Sequence, residues 1–153
     1  MVVCFGANDA ALEGKNAAHV PVAAYRENLG EIVRRLRGFV RPGGRLMFMT
    51  PGKVEEARTA VWRNEVTKMY VDACAGLAEK GVEVLNLYEE MEGEEDYARL
   101  LLDDGVHFNG VGQEWLAKVA DRFIKDRFPE LHYEALPRLF PNWRDIDQSY
   151  KPE

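Results

Sequence analysis

Val2-Val3-Cys4-Phe5-Gly6-Ala7-Asn8-Asp9 stands at the head of the chain. Its β-branched and aromatic residues run without alternation up to a glycine, the pattern of a strand buried on both faces. Two later runs share that character: Leu46-Met47-Phe48-Met49, closed by Thr50-Pro51, and Val82-Glu83-Val84-Leu85-Asn86-Leu87. Helical stripes lie between and after them. Pro21 opens one, with Tyr25, Leu29, Ile32, Val33 and Leu36 at three- and four-residue steps. Val66, Tyr70, Ala73 and Leu77 mark a second that stops at Gly81, and Trp115, Leu116, Val119 and Phe123 mark a third. This alternation predicts an α/β fold, a parallel sheet with right-handed crossovers and helices on both faces. Beyond Phe128 the prolines at 129, 137, 141 and 152 argue against regular structure. Residues 128–153 are therefore expected to form a tail that wraps over a single domain spanning 1–153.

Composition narrows the class. The 153 residues are 46% hydrophobic and 30% charged, which is a globular balance. Twenty basic residues against 26 acidic ones give a net charge of −6, which argues against nucleic acid or an anionic membrane as partner. No apolar run approaches the ~20 residues of a membrane span. Cys4 and Cys74 have no metal or redox spacing and read as reduced core residues of a cytoplasmic protein. His19 and His132 lack partners at ligand spacing, and Gly110-Val111-Gly112 follows a loop, so it is no dinucleotide fingerprint. The reading calls for no cofactor and no metal.

In an open α/β sheet, ligands sit beyond the carboxyl ends of the strands. Three segments fall there: Gly6-Ala7-Asn8-Asp9, Thr50-Pro51-Gly52, and the loop Asp103–Gly110 before the last helix. Asn8 after a glycine can present an amide N–H to a developing oxyanion. Asp104 and His107, three apart in a glycine-bearing turn, suit a carboxylate that orients an imidazole acting as general base and acid. Each segment also has a plainer reading: turn chemistry for Asn8-Asp9, a helix cap with a surface histidine for Asp104 and His107. Arg34, Arg35, Arg37, Arg41 and Arg45 read as a solvated helix face and turn.

Taken together and in order, Gly6-x-Asn8-Asp9 and Asp104-x-x-His107 resemble two of the four blocks of the SGNH hydrolases, also called GDSL-type esterases and lipases. The segments FGANDA, HVPVAAYRENLGEIVRRL, NEVTKMYVDAC, LLDDGVHFNGVGQEWL and LPRLFPNWRDID are similar to the isoamyl acetate-hydrolysing branch, over residues 1 to about 147. The resemblance implies a flavodoxin-like three-layer α/β/α sandwich of strand order 2-1-3-4-5. It also implies hydrolysis of small acetate-type esters. It assigns Asn8 to the oxyanion hole, His107 to the base and Asp104 to the third triad position.

The other two blocks of that family, a Gly-Asp-Ser nucleophile turn and an oxyanion glycine, do not occur here. The chain holds a single serine, Ser149. Thr50, Cys4 and Ser149 are poor substitutes: an unactivated hydroxyl, a thiol expected to be buried in a strand, and a serine in the proline-punctuated tail. The expectation is a sheet cut down to the family's strands 3, 4 and 5, without its nucleophile and inactive alone. The alternative is a non-catalytic module that binds ligands or partners. The partner of the first reading is a small ester. A bare apolar edge at Val2–Phe5 invites self-association in either case.

Overall fold

The computed structural model describes residues 1–42 and 44–137. Strand β1 (Val2–Cys4) leads to helix α1 (Val22–Arg37), strand β2 (Met47–Met49), helix α2 (Asn64–Ala75) and strand β3 (Glu83–Leu85). Helices α3 (Leu87–Glu92) and α4 (Gly110–Arg127) follow. The three strands form one parallel sheet in the order β1-β2-β3, with Val3 opposite Phe48 and Phe48 opposite Val84.

The pleat of β2 explains the layers. Phe48 points to one face, where it packs with Val3, Tyr25, Leu29, Val33, Tyr70 and Cys74 from β1, α1 and α2. Met47 and Met49 point to the other and meet Leu85, Val119 and Phe128 beside α4. All three residues of β2 are buried, as a central parallel strand requires. The result is helices on both faces of a short parallel sheet, the α/β/α arrangement that strand–helix alternation implies. Tyr25, Leu29 and Val33, four apart, are the residues α1 buries.

The elements are shorter than the apolar runs. Phe5 lies past the end of β1 and is exposed, and so is Cys4, contrary to the expectation that its thiol is buried in a strand. Cys4 lies beside Met49 in register, so it shares the sheet face that α4 covers over β2 and β3. That cover does not reach β1, which leaves Val2 and Cys4 open on this face while Val3 is buried on the other. Cys74 is buried, and loss of solvent pushes its thiol up to about 12.

The third run breaks early. Asn86, expected inside a strand, instead caps α3 by accepting the Glu89 N–H at its side-chain oxygen, 3.3 Å away. Leu87, Tyr88 and Met91 then bury one side of that unexpected helix. The second helix ends at Ala75 and tightens into a 3₁₀ turn over Gly76–Lys80, with Gly81 left-handed at its end. In the tail, Pro129 starts a 3₁₀ turn over Pro129–Leu131, which corrects the expectation of no regular structure there. Phe128 and His132 are buried beside it. The rest of the expected wrapping tail, from residue 138, and with it Ser149, lies outside the described residues.

Candidate active site

A cleft of about 220 Å³ opens at the carboxyl ends of the strands, lined mostly by apolar surface. Asn8, Thr50, Thr67 and His107 all line it, brought from four separate parts of the chain. The sequence-predicted segments therefore converge.

Gly6 makes the first turn. Its φ of +110° favours glycine, and a Cβ there would sit 2.6 Å from the Tyr25 hydroxyl and 2.8 Å from Pro51. The loop that follows is tied down at several points. The Tyr25 hydroxyl donates to the Phe5 carbonyl at 3.0 Å, and the Trp62 indole N–H donates to the Ala7 carbonyl at 2.8 Å. Asn8 thus stands exposed on a fixed backbone, and its side chain forms no hydrogen bond with the described residues.

The second segment is built by local bonds. Leu102 N–H donates to the His107 carbonyl at 2.7 Å, and Leu101 pairs with Phe108 in an antiparallel bridge, so the segment closes on itself. Gly105, at φ +72°, lets Glu55 N–H reach its carbonyl at 2.8 Å; a Cβ would lie 2.6 Å from the Glu55 oxygen. Inside this turn one Asp104 oxygen accepts the Val106 N–H at 2.9 Å and the His107 N–H at 3.0 Å. The other meets His107 Nδ1 at 2.6 Å. The backbone N–H of His107, then that of Val106, then the imidazole hold the Asp104 carboxyl down at about 2. With Nδ1 committed to Asp104 and its side chain 71% exposed, His107 keeps Nε2 available to the cleft.

The helix-cap reading of Asp104 is not what is seen: Asn109 caps α4, accepting the Gly112 N–H at 3.0 Å. Thr50 is fully buried, its hydroxyl 3.0 Å from the Pro51 carbonyl and 3.2 Å from Asn86 Oδ1, so it is a poor nucleophile. Cys4 does line the cleft, on the open face of β1. Thr67 and Phe108 were not singled out by sequence. Thr67 reaches the cleft because the first turn of α2 passes beneath it, which no local motif announces.

A larger groove, about 510 Å³, lies at the other end of the sheet beside Arg37, Arg45 and Arg127. Its arginines are already engaged: Arg127 with Glu83 at 3.1 Å, Arg45 with Glu130 at 2.8 Å, Arg37 with the Lys80 carbonyl. Size alone does not make it the site. Among the described residues, no group of three or more His, Cys, Asp and Glu side chains is placed to hold a metal ion, and no helix is long and apolar enough to cross a membrane.

Residues 1–115 match the model of the GDSL-like lipase/acylhydrolase family. A human isoamyl acetate-hydrolyzing esterase 1 homolog is 30% identical, over 100% of this chain and 64% of its own length. A GDSL esterase/lipase of Arabidopsis thaliana is also 30% identical, over 95% of this chain and 66% of its own. The crystal structure of a lipase/acylhydrolase from Enterococcus faecalis superposes with a TM-score of 0.70 at 29% identity, covering 82% of this chain and 60% of that one. The chain thus spans about two thirds or less of the length of these relatives.

Proposed function

The chain belongs to the GDSL-like lipase/acylhydrolase family, and we propose that it carries the base half of a carboxylic-ester hydrolase acting on small, acetate-type esters. The observation that carries this reading is the Asp104–His107 pair, 2.6 Å apart, on the rim of the cleft that Asn8 also lines. In this reading His107 Nε2 takes the proton of a nucleophilic hydroxyl and later returns it to the leaving alcohol. Asp104 fixes the Nδ1–H tautomer and stabilises the imidazolium. The Asn8 amide donates to the oxyanion of the tetrahedral intermediate.

The 153 residues contain no Gly-Asp-Ser, so the nucleophile of this reading comes from outside them. The free side of β1 is the surface for a strand that brings it. β1 pairs only with β2 among the described residues, and its own Val2 is 55% exposed. Without such a strand, copies of the chain are expected to associate through Val2–Phe5. The similarity of the relatives named for isoamyl acetate supports the acetate preference, and the two free cysteines support a reducing cytoplasmic setting.

The test adds two strand–helix units bearing a Gly-Asp-Ser turn, fused ahead of Met1. The fused protein should hydrolyse p-nitrophenyl acetate, while residues 1–153 alone should do so no faster than their own His107→Ala variant. A folded fusion that stays inactive would favour a non-catalytic binding module instead. His107-dependent turnover by residues 1–153 alone would mean that they contain a nucleophile after all.

A further inference from the structure

Thr67 carries the one buried side-chain polar atom that lacks a hydrogen-bond partner among the described residues. It lies in the first turn of α2 and is 1% exposed. A helical threonine commonly turns its hydroxyl back to the carbonyl four residues earlier. Here the Arg63 carbonyl takes the Thr67 backbone N–H at 2.8 Å, and the hydroxyl bonds nothing among the described residues. Thr50, on the same cleft and equally buried, shows the contrast: its hydroxyl reaches Pro51 and Asn86. Burying an unpaired hydroxyl is unfavourable, and a valine would fill the same shape without that cost.

The surroundings say what would relieve it. Ala7, Pro51, Val54, Leu87 and Phe108 give the cleft apolar walls, and its 220 Å³ suits a fragment of a few heavy atoms more than benzene. Asn8 and His107 on the same cleft are assigned to the reacting ester group, so the buried Thr67 hydroxyl is the polar group left to select a ligand that offers it a partner. We propose that Thr67 determines specificity, its hydroxyl hydrogen-bonding an oxygen on the portion of a short ester that enters the cleft. The preferred substrates are then short hydroxy- or keto-substituted esters over plain alkyl esters of the same shape. This rests on the ester-hydrolase reading of the cleft.

The pair methyl 3-hydroxybutyrate and methyl isovalerate, which differ by hydroxyl for methyl, tests it in NMR titrations of residues 1–153 that follow the His107 and Phe108 rings. The hydroxy ester should bind about tenfold more tightly. Thr67→Val should bring the two within about twofold, and Thr67→Ser should restore the preference. Both esters shifting the two rings with equal affinity would overturn the role of Thr67 and leave the cleft reading standing, as would a preference that survives in Thr67→Val. Neither ester shifting those rings would overturn the cleft reading and this proposal together. Should Thr67→Val fail to fold, Thr67→Ala, which also removes the hydroxyl, decides the matter by the same loss or retention of the preference.

Discussion

Among the described residues there are two aspartate–histidine pairs, and they are built for opposite ends. His107 leans on Asp104 at 2.6 Å with its side chain 71% exposed, on the rim of a cleft. His132 meets Asp121 at 3.1 Å and Glu134 at 3.6 Å with its side chain only 5% exposed, packed at the end of α4 with its ring tilted against that of Tyr133. The first pair spends one ring nitrogen on orientation and leaves the other to solvent. The second has both nitrogens facing carboxylates, which fastens the residues after Phe128 to the last helix. Contact between a carboxylate and an imidazole is therefore not the mark of a site. What the ring has left over is.

The largest effect expected from this difference is catalytic. In the fused protein, His107→Ala should lower kcat by about 10²–10⁴-fold, the usual contribution of a positioned general base. His132→Ala should leave kcat within about twofold. Steady-state assays on the two variants check it, and equal losses would erase the distinction. Asn8→Ala comes next, with a loss of about 10²–10³-fold in kcat, as for one oxyanion donor, and little change in KM. A rise in KM alone would make Asn8 a binding residue.

Stability should reverse the ranking. His132→Ala leaves a small void beside Phe128 and removes the hydrogen bond to Asp121, costing about 1–3 kcal/mol. His107→Ala, at an exposed position, should change the melting temperature by less than a degree or two. Calorimetry on both variants of residues 1–153 compares them directly.

How far the sequence foretold this follows the range of the interactions. Asp104 and His107 were legible because three residues and a left-handed glycine close the turn locally. Asn8 was legible because a glycine must end the strand where Tyr25 and Pro51 crowd it. The parallel order of the strands followed from their alternation with helices. Burial was less legible. An unbroken apolar run at Val2–Phe5 reads as buried on both faces, but α4 covers only β2 and β3, so Val2 and Cys4 stay open. Asn86 was read into a strand because the apolar residues on either side of it mask a helix cap. His132 gave no sign of its carboxylates, since Asp121 lies eleven residues back along α4 and the chain must reverse to reach it. The unpaired hydroxyl of Thr67 depends on everything packed around it and has no local signature.

The smallest effect concerns the carboxylate itself. Asp104 is held at about 2, below its ordinary 3.8, by the His107 and Val106 amides and then by the imidazole. A folded value lower than the unfolded one means that its contribution is fully present above about pH 4. That contribution is lost as pH falls through 2. The side chain is about half exposed, so solvent screens the effect and the global melting temperature should hardly register it. The local readout is sharper. The Val106 and His107 amide resonances should follow the protonation of Asp104 with a midpoint near 2, because protonation weakens the acceptor both amides share. In Asp104→Asn that titration should vanish while an oxygen acceptor remains, and the His107 ring should lose its fixed orientation. A midpoint close to the ordinary 3.8 would mean that the turn does not grip the carboxylate in solution. His107 would then be no better oriented than any surface histidine, and the contrast with His132 would rest on exposure alone.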